Sequence, residues 1–537
     1  MAVMGAGTYE AIVVGAGHNG LVTACYLARA GLRVLVLERR HLVGGACVTE
    51  ETFPGFKVST AAYVSSLFHK EIVRDLRLPA YGFEVLPRQP SSFTPYPDGR
   101  SLLLGSDPAL NHAEISKFSA RDAERYPQYE AMLERVAAFV EPTLTRTPPD
   151  VLRPGLRGLL HFLALGRSFG RLGAAASEAV EVLTGPARRV LDHWFESVEL
   201  KSTLATDAVI GAMASPSTPG TAYVLFHHVM GETDGKRGVW GYVRGGMGGL
   251  TQALAQAAQA LGVEIRCQAE VARIAVQDGR ASGVALAGGE EYRAPIVASN
   301  ADARVTFTHL IDRRALPPDF AAAVDRISYE SASLKINVAL GELPNFRACP
   351  GLMAGPQHRG TIHICPDLDY IERAYDDAKY GWPSERPVLE CTIPSVVDST
   401  VAPRGKHLMS IFVQYAPYAL RESNWDELGE RFADRCFAIL DEYAPNFRRA
   451  VLARQVLTPL DLERTFNLTG GNIFQGAMIP SQLFSLRPVP GWASYRTPVK
   501  GLYLCGAAAH PGGGVMGTPG LNAAREILRA RRLRFIT

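Results

Sequence analysis

A short apolar run, Glu10-Ala11-Ile12-Val13-Val14, breaks at once into Gly15-Ala16-Gly17-His18-Asn19-Gly20. A run this short and this rich in β-branched residues predicts a buried parallel strand. The first glycine permits a tight turn, and the second lets backbone approach a pyrophosphate. The third lets the following helix, Leu21 to Ala30, pack against the strand. Asn19 lies where that helix begins, and the positive helix end faces the phosphates. A second strand, Arg33-Val34-Leu35-Val36-Leu37, ends at Glu38, about 20 residues past the turn. There a carboxylate accepts hydrogen bonds from an adenosine ribose and disfavours a 2′-phosphate. The order strand, glycines, helix, strand, acid predicts a dinucleotide-binding unit, but it does not separate NAD from FAD.

The next residues bear on that choice. Glu38-Arg39 leads through Arg40, His41, Leu42 and Val43 to Gly44-Gly45-Ala46. This E-R-x-x-x-x-G-G pattern resembles the extended fingerprint of flavoproteins in the glutathione reductase, amine oxidase and phytoene desaturase superfamily. The resemblance implies FAD, with Glu38, Arg39, Gly44, Gly45 and Ala46 at the cofactor. The stretch Trp240-Gly241-Tyr242-Val243-Arg244-Gly245-Gly246-Met247-Gly248-Gly249, followed by E-V-x-R-I from Glu270, is similar to phytoene desaturases and carotenoid isomerases. It implies that backbone of Val271 meets the adenine, and Asn300 closes a further strand at the same edge.

Near the other end, Gly501 to Gly506 and Pro511-Gly512-Gly513-Gly514-Val515-Met516-Gly517 return the chain to this site. By the same resemblance Gly506 passes the ribityl chain, and Gly514, Val515, Met516 and Gly517 lie against the ring. A helix starting near Met516 would present its positive end to the flavin. Many relatives carry Asp after the glycine matching Gly506. Ala507 stands here, as in the phytoene-desaturase-like branch.

The implied fold class is α/β plus α+β. A discontinuous Rossmann-type, glutathione reductase-like FAD-binding domain takes residues 1–75, 235–302 and 485–537. An inserted substrate domain of antiparallel sheet and helices takes 76–234 and 303–484. Between Pro54 and Gly235 the pattern reads as mainly helical, with a helix from Arg121 to Glu141. Strands are expected from Leu334 to Leu340, Thr361 to Cys365, Val388 to Ile393 and Leu408 to Tyr415, and a helix from Trp425 to Tyr443.

Composition narrows the function. Among 537 residues, 56 Lys and Arg against 53 Asp and Glu leave a net charge of +3, too small to imply nucleic acid. Cys47 follows the glycine pair as a redox cysteine would, but Thr52 stands where its partner belongs. The eight cysteines are dispersed, with no C-x-x-C. A dithiol relay needs two sulfurs within reach, so disulfide chemistry is disfavoured and no metal site is expected. No apolar run reaches the roughly 18 to 20 residues of a membrane span. The first strand begins near residue 9, which leaves no room for a presequence. The resemblance implies a cytoplasmic enzyme in bacteria and a mitochondrial-matrix one in animals. From Val151 to Ser177 there is no acid, while Arg153, Arg157, Arg167 and Arg171 punctuate an apolar pattern. Such a stretch rests on a membrane surface or caps a core or substrate channel.

The family resemblance implies an FAD-dependent oxidoreductase that dehydrogenates or isomerises a small apolar, lipid-derived substrate, with an unspecified electron acceptor. An amine oxidase and a flavoprotein scaffold are the alternatives. Candidate polar groups are His227, His228, His363, Lys335, Asp207 and His510. His510, inside the loop expected beside the flavin, is the assigned catalytic residue.

Overall fold

The computed structural model describes residues 9–152, 154–233 and 235–534. The strands around the glycine turn form one five-stranded sheet. Its order is Glu264–Arg266, Val34–Leu37, Ala11–Val14, Val297–Ser299, Leu502–Leu504, with every pairing parallel. Its central strands are unbroken apolar runs because elements cover both faces. Helices His18–Arg29, Gly248–Ala260 and Thr518–Arg534 pack together against it. A three-stranded meander, Val271–Gln277, Arg280–Leu286 and Glu291–Arg293, shares the same core. Its first turn is Asp278-Gly279, with φ of 49° and 69°, the left-handed pair a two-residue hairpin needs.

Helix His18–Arg29 starts on the glycine turn with almost no clearance. A Cβ on Gly20 would stand 2.2 Å from the carbonyl oxygen of Gly15. Glycine is therefore required there by contact rather than by torsion angle.

The second sheet has seven strands. Their order is Val451–Leu457, Ser333–Leu340, His407–Gln414, Val388–Thr392, Thr361–Ile364, Ser92–Pro95, Ser101–Leu104. Helix Trp425–Tyr443 packs on it through Phe432, Cys436 and Leu440, and Asn424 caps that helix by accepting from the Glu427 amide. Two features depart from expectation. The stretch after Pro54, read as mainly helical, contributes the hairpin Ser92–Pro95 and Ser101–Leu104. Ser92–Pro95 then joins Thr361–Ile364 in parallel, so the sheet is mixed rather than antiparallel. Four-residue strands on either side of Pro97-Asp98-Gly99 leave too little periodicity to be separated from the helices that follow.

Those helices form a third cluster, built on Ala120–Leu144. The side chain of Ser119 caps this helix by accepting from the Asp122 amide at 3.1 Å. The buried Asp122 carboxylate in turn accepts from the amides of Glu196 and Ser197. Sequence alone thus places the element, while one buried acid ties it to a helix 70-odd residues on, at about the range where side-chain caps of backbone amides matter.

Gly20→Ala should overpack the turn, at a cost of about 1–3 kcal/mol. A lower midpoint in thermal melts followed by circular dichroism is expected. An unchanged midpoint would show that the turn relaxes to accept the methyl group.

Candidate active site

A cavity of about 440 Å³ runs from the carboxyl edge of the parallel sheet to one face of the seven-stranded sheet. At its first end lie Gly15, Gly17, Asn19, Glu38, Arg39, Gly44, Gly45, Ala46, Val271 and Asn300, and Gly514 and Val515 join farther along. A Cβ on Gly17 would fall 2.6 Å from Asn300 Nδ2, so only glycine fits beside the Asn300 side chain there. Helix His18–Arg29 begins with no side-chain cap and no acid in its first turn. Beside it Asn19 Oδ1 is buried without a hydrogen-bond partner. Uncapped amides at a helix N-terminus suit a phosphate. The Glu38 carboxylate is fixed from both sides, accepting from the Ala16 amide at 2.8 Å and the Arg40 amide at 2.9 Å. This donor and acceptor set, with glycine backbone exposed between the side chains, fits a dinucleotide.

Four residues expected at the cofactor do not line the cavity. Gly20 and Gly506 are packing positions, the latter because a Cβ would lie 2.6 Å from the Asn300 carbonyl oxygen. Met516 is buried in the helical cluster, and Gly517 faces Ile72 and Phe68. The last helix begins at Thr518, past the expected start near Met516. Val515, at the cavity wall, has φ of 57°, which costs a β-branched residue on the order of 1–3 kcal/mol.

Strand register assembles the far end. Lys335 lies opposite Phe412, Phe412 opposite Glu390, and Glu390 opposite His363, so four neighbouring strands present one row to the cavity. His363 Nδ1 is 3.1 Å from Thr206 Oγ1 and 3.6 Å from Glu390 Oε1. Glu390 Oε1 is buried and has no hydrogen-bond partner. Asp207, Arg88, His228, Tyr63 and Trp240 close around this row. Burial pushes the Asp207 carboxyl up; His228 pulls it down, Glu390 raises it further, and His363 and Arg88 oppose. Burial likewise holds the Lys335 ammonium well below its ordinary value.

The cations here are committed to the protein. Lys335 donates to the Ser59 and Ala61 carbonyls at 2.9 and 2.7 Å and sits 4.5 Å over the Tyr63 ring. Arg88 donates to the Trp240 carbonyl and to Thr361 Oγ1. His228 Nδ1 donates to the Val224 carbonyl at 2.8 Å, and its ring stacks on Trp240. Arg487, wholly buried, donates to the carbonyls of Phe474, Gly476, Ala477, Gln482 and Ala507. Burial lowers its pKa to about 10. It thereby joins Phe474 and Ala507, both in the cavity lining, through one side chain.

Of the six polar candidates, Asp207, His228, His363 and Lys335 converge here. His227 lies behind the wall, its Nε2 3.2 Å from the Gly513 carbonyl oxygen. His510 does not line the cavity, contrary to its assignment as the catalytic residue. Its Nε2 donates to the Thr143 carbonyl at 3.0 Å, and its ring packs edge-on against Phe484. Its neighbours along the loop face the cavity, but the chain turns this side chain to the helical cluster. Sequence reasoning missed Glu390, Arg88, Tyr63 and Trp240. Glu390 had a signal: an acid inside the apolar strand Val388–Thr392 must face something polar.

All eight cysteines are free. Cys47 is buried, its thiol is pushed up to about 12 by burial, and it donates to the Met247 carbonyl. It behaves as a small core residue.

Residues 20–341 match the family model described as flavin containing amine oxidoreductase. The chain is 48% identical to pyridine nucleotide-disulfide oxidoreductase domain-containing protein 2 of Rattus norvegicus, over 97% of this chain and 93% of that one. It is 26% identical to phytoene desaturase (lycopene-forming) of Pseudescherichia vulneris, over 95% and 96%. Putrescine oxidase bound to putrescine shares the fold, with a TM-score of 0.60 at 15% identity and 99% coverage of each chain.

Burial lowers the His510 pKa from 6.5 to about 4. Above pH 6.5 the ring is neutral whether the chain is folded or not, so it adds no pH dependence. As pH falls from 6.5 towards 4 only the unfolded chain takes up the proton, and stability declines. His510→Gln keeps a donor for Thr143 and cannot titrate. Its melting midpoint should therefore fall less than that of the unmodified protein between pH 7 and pH 5. Parallel curves would contradict a neutral buried ring.

Proposed function

The chain belongs to the flavin-containing amine oxidoreductase family and is an FAD-dependent oxidoreductase; from that premise we propose that it dehydrogenates a substrate with an apolar body and one polar end. The observation that carries this reading is the row of Lys335, Phe412, Glu390 and His363 at the end of a cavity to which Ile210, Leu334, Ile473 and Phe474 add apolar wall. A purely hydrocarbon substrate would leave Glu390 Oε1 buried and unpaired, at a cost of several kcal/mol.

Gly15, Gly17 and Asn19 would hold the pyrophosphate, Glu38 the adenosine ribose, and Val271 the adenine. Gly44, Gly45, Ala46, Asn300, Gly514 and Val515 would supply the remaining wall. Bound FAD supplies hydride acceptance. The chain's own residues orient the substrate and manage the proton that leaves with the hydride. Thr206 fixes the His363 ring through Nδ1, with Glu390 Oε1 nearby at 3.6 Å, and the ring's Nε2 has no partner among the described residues. That nitrogen is free to exchange a proton with a molecule in the cavity. Lys335, anchored to the Ser59 and Ala61 carbonyls, lies over the face of the Tyr63 ring, and Arg88 fixes the backbone of Trp240 through its carbonyl.

A second reading rests on the same end of the cavity. Two acids, Asp207 and Glu390, beside Tyr63, Trp240 and Phe412 also suit an ammonium group, which would make the enzyme an amine oxidase.

Anaerobic mixing separates the two. Terpenoid alcohols and acids, and alkylamines, are added to the purified yellow protein, and loss of the flavin's visible absorption is followed. Bleaching by the terpenoids supports the first reading; bleaching by amines alone replaces it with the second. With whichever substrate reacts, His363→Ala should lower kcat by about 10²-fold or more and flatten its pH profile. An unchanged profile would remove His363 from proton transfer.

A further inference from the structure

Helix Leu156–Gly170 is the least covered apolar element among the described residues. Leu156, Leu159, Leu160 and Leu163 recur at helical spacing on one side, and Leu152 precedes them by a turn. These five are between 51% and 76% exposed. The opposite side is the packed one: Phe169 meets Phe139 with ring centroids 5.6 Å apart, and Leu172 is partly buried in the helical cluster. A solvated helix normally turns such a stripe inward. Here the inward side holds smaller and aromatic residues, and the leucines form a convex ridge.

Within the segment from Val151 to Ser177 the charge has one sign. Arg167 and Arg171 are exposed at the carboxyl end of the ridge, and the segment carries no acid. Arg153 and the side chain of Arg157 lie outside the described residues. We infer that this helix docks the enzyme on an anionic phospholipid surface, with the leucines in the acyl boundary and the arginines at the headgroups. An exposed apolar ridge whose own segment carries only cations, with Asp150 the single acid at its start, matches a headgroup layer better than a folded protein surface, where both signs of charge are interspersed. No helix among the described residues is long and apolar enough to cross a membrane, so the helix lies on the surface.

The ridge is also fastened to the site. At the end of Ala120–Leu144, just before this segment, the Thr143 carbonyl accepts from His510 and the Leu144 carbonyl accepts from Asn522 at 2.8 Å. Docking would therefore set the orientation of the loop that continues to Gly514 and Val515. This inference does not depend on the substrate reading.

The test is flotation of the full-length, flavin-loaded protein with vesicles of phosphatidylcholine alone and of phosphatidylcholine mixed with phosphatidylglycerol. Co-flotation with the anionic vesicles, weakening as salt rises, is expected. The combined variant Leu156→Ser, Leu159→Ser, Leu160→Ser and Leu163→Ser should lose it. Arg167→Ser with Arg171→Ser should reduce it on the order of tenfold. Because these side chains are exposed, flavin content and melting midpoint should be retained, which verifies that the variants fold. Absence of flotation in the unmodified protein, or equal flotation of the serine variant, overturns the inference. So does a dimer by size exclusion that the serine variant converts to monomer without any vesicle binding, since the ridge would then join two copies.

Discussion

Close approach to glycine backbone governs this molecule. At the carboxyl edge of the parallel sheet the turn after Ala11–Val14, the start of helix His18–Arg29 and the residue Asn300 meet at distances that a single methyl group would violate. Such closeness serves two ends at once. It lets helix and strand share one core, and it leaves peptide groups exposed to the channel beside the side chains of Asn19, Glu38 and Asn300. A peptide wall offers amide donors at fixed positions, which is what a phosphate requires. Because the same carbonyls and amides hold the turn together, the fold and the cofactor site stand or fall together.

The far end of the cavity is built on a different principle. Its basic side chains are embedded in apolar surroundings and donate to peptide carbonyls and a hydroxyl rather than to a carboxylate. Arg487 shows the limit of this arrangement, with five carbonyl acceptors and no carboxylate among its salt-bridge partners. Dipoles oriented by a folded backbone compensate a buried cation without supplying a proton acceptor. The acids Asp207 and Glu390 are thus left unconsumed by internal ion pairing with Lys335 or Arg88, and remain available to whatever enters.

How much of this was legible in the chain follows from how local each cause is. The glycine turn, Glu38, the Gly44-Gly45 pair and the return near Gly513 are set by contacts a few residues long, and their patterns survive in sequence. The strands of the second sheet from Leu334 onward were legible as apolar runs. Its outer hairpin was not, because Ser92–Pro95 is held by pairing with a strand some 270 residues later, and nothing in a four-residue segment announces that partner. The site divided in the same way. His363, Lys335 and Asp207 stood out by type, whereas their convergence depends on register across four strands. His510 was misplaced for the converse reason: proximity along a loop says which residue is near a cavity and not which way its side chain turns.

The interleaving of the two sheets carries a consequence for how the protein is made. The parallel sheet begins with Ala11–Val14 but is completed by Leu502–Leu504, and the mixed sheet begins with the hairpin Ser92–Pro95 and Ser101–Leu104 but gains its next strand only at Ser333–Leu340 and its junction to the hairpin only at Thr361–Ile364. A chain emerging from the ribosome in order therefore exposes half-formed edges of both sheets until nearly all of it has been synthesised. Neither half can finish as an independent unit and wait for the other. Residues 513–515, which close the cavity, arrive after the last strand. Cofactor acquisition is consequently a late event in the life of each molecule, and nascent chains depend until then on protection from edge-to-edge association.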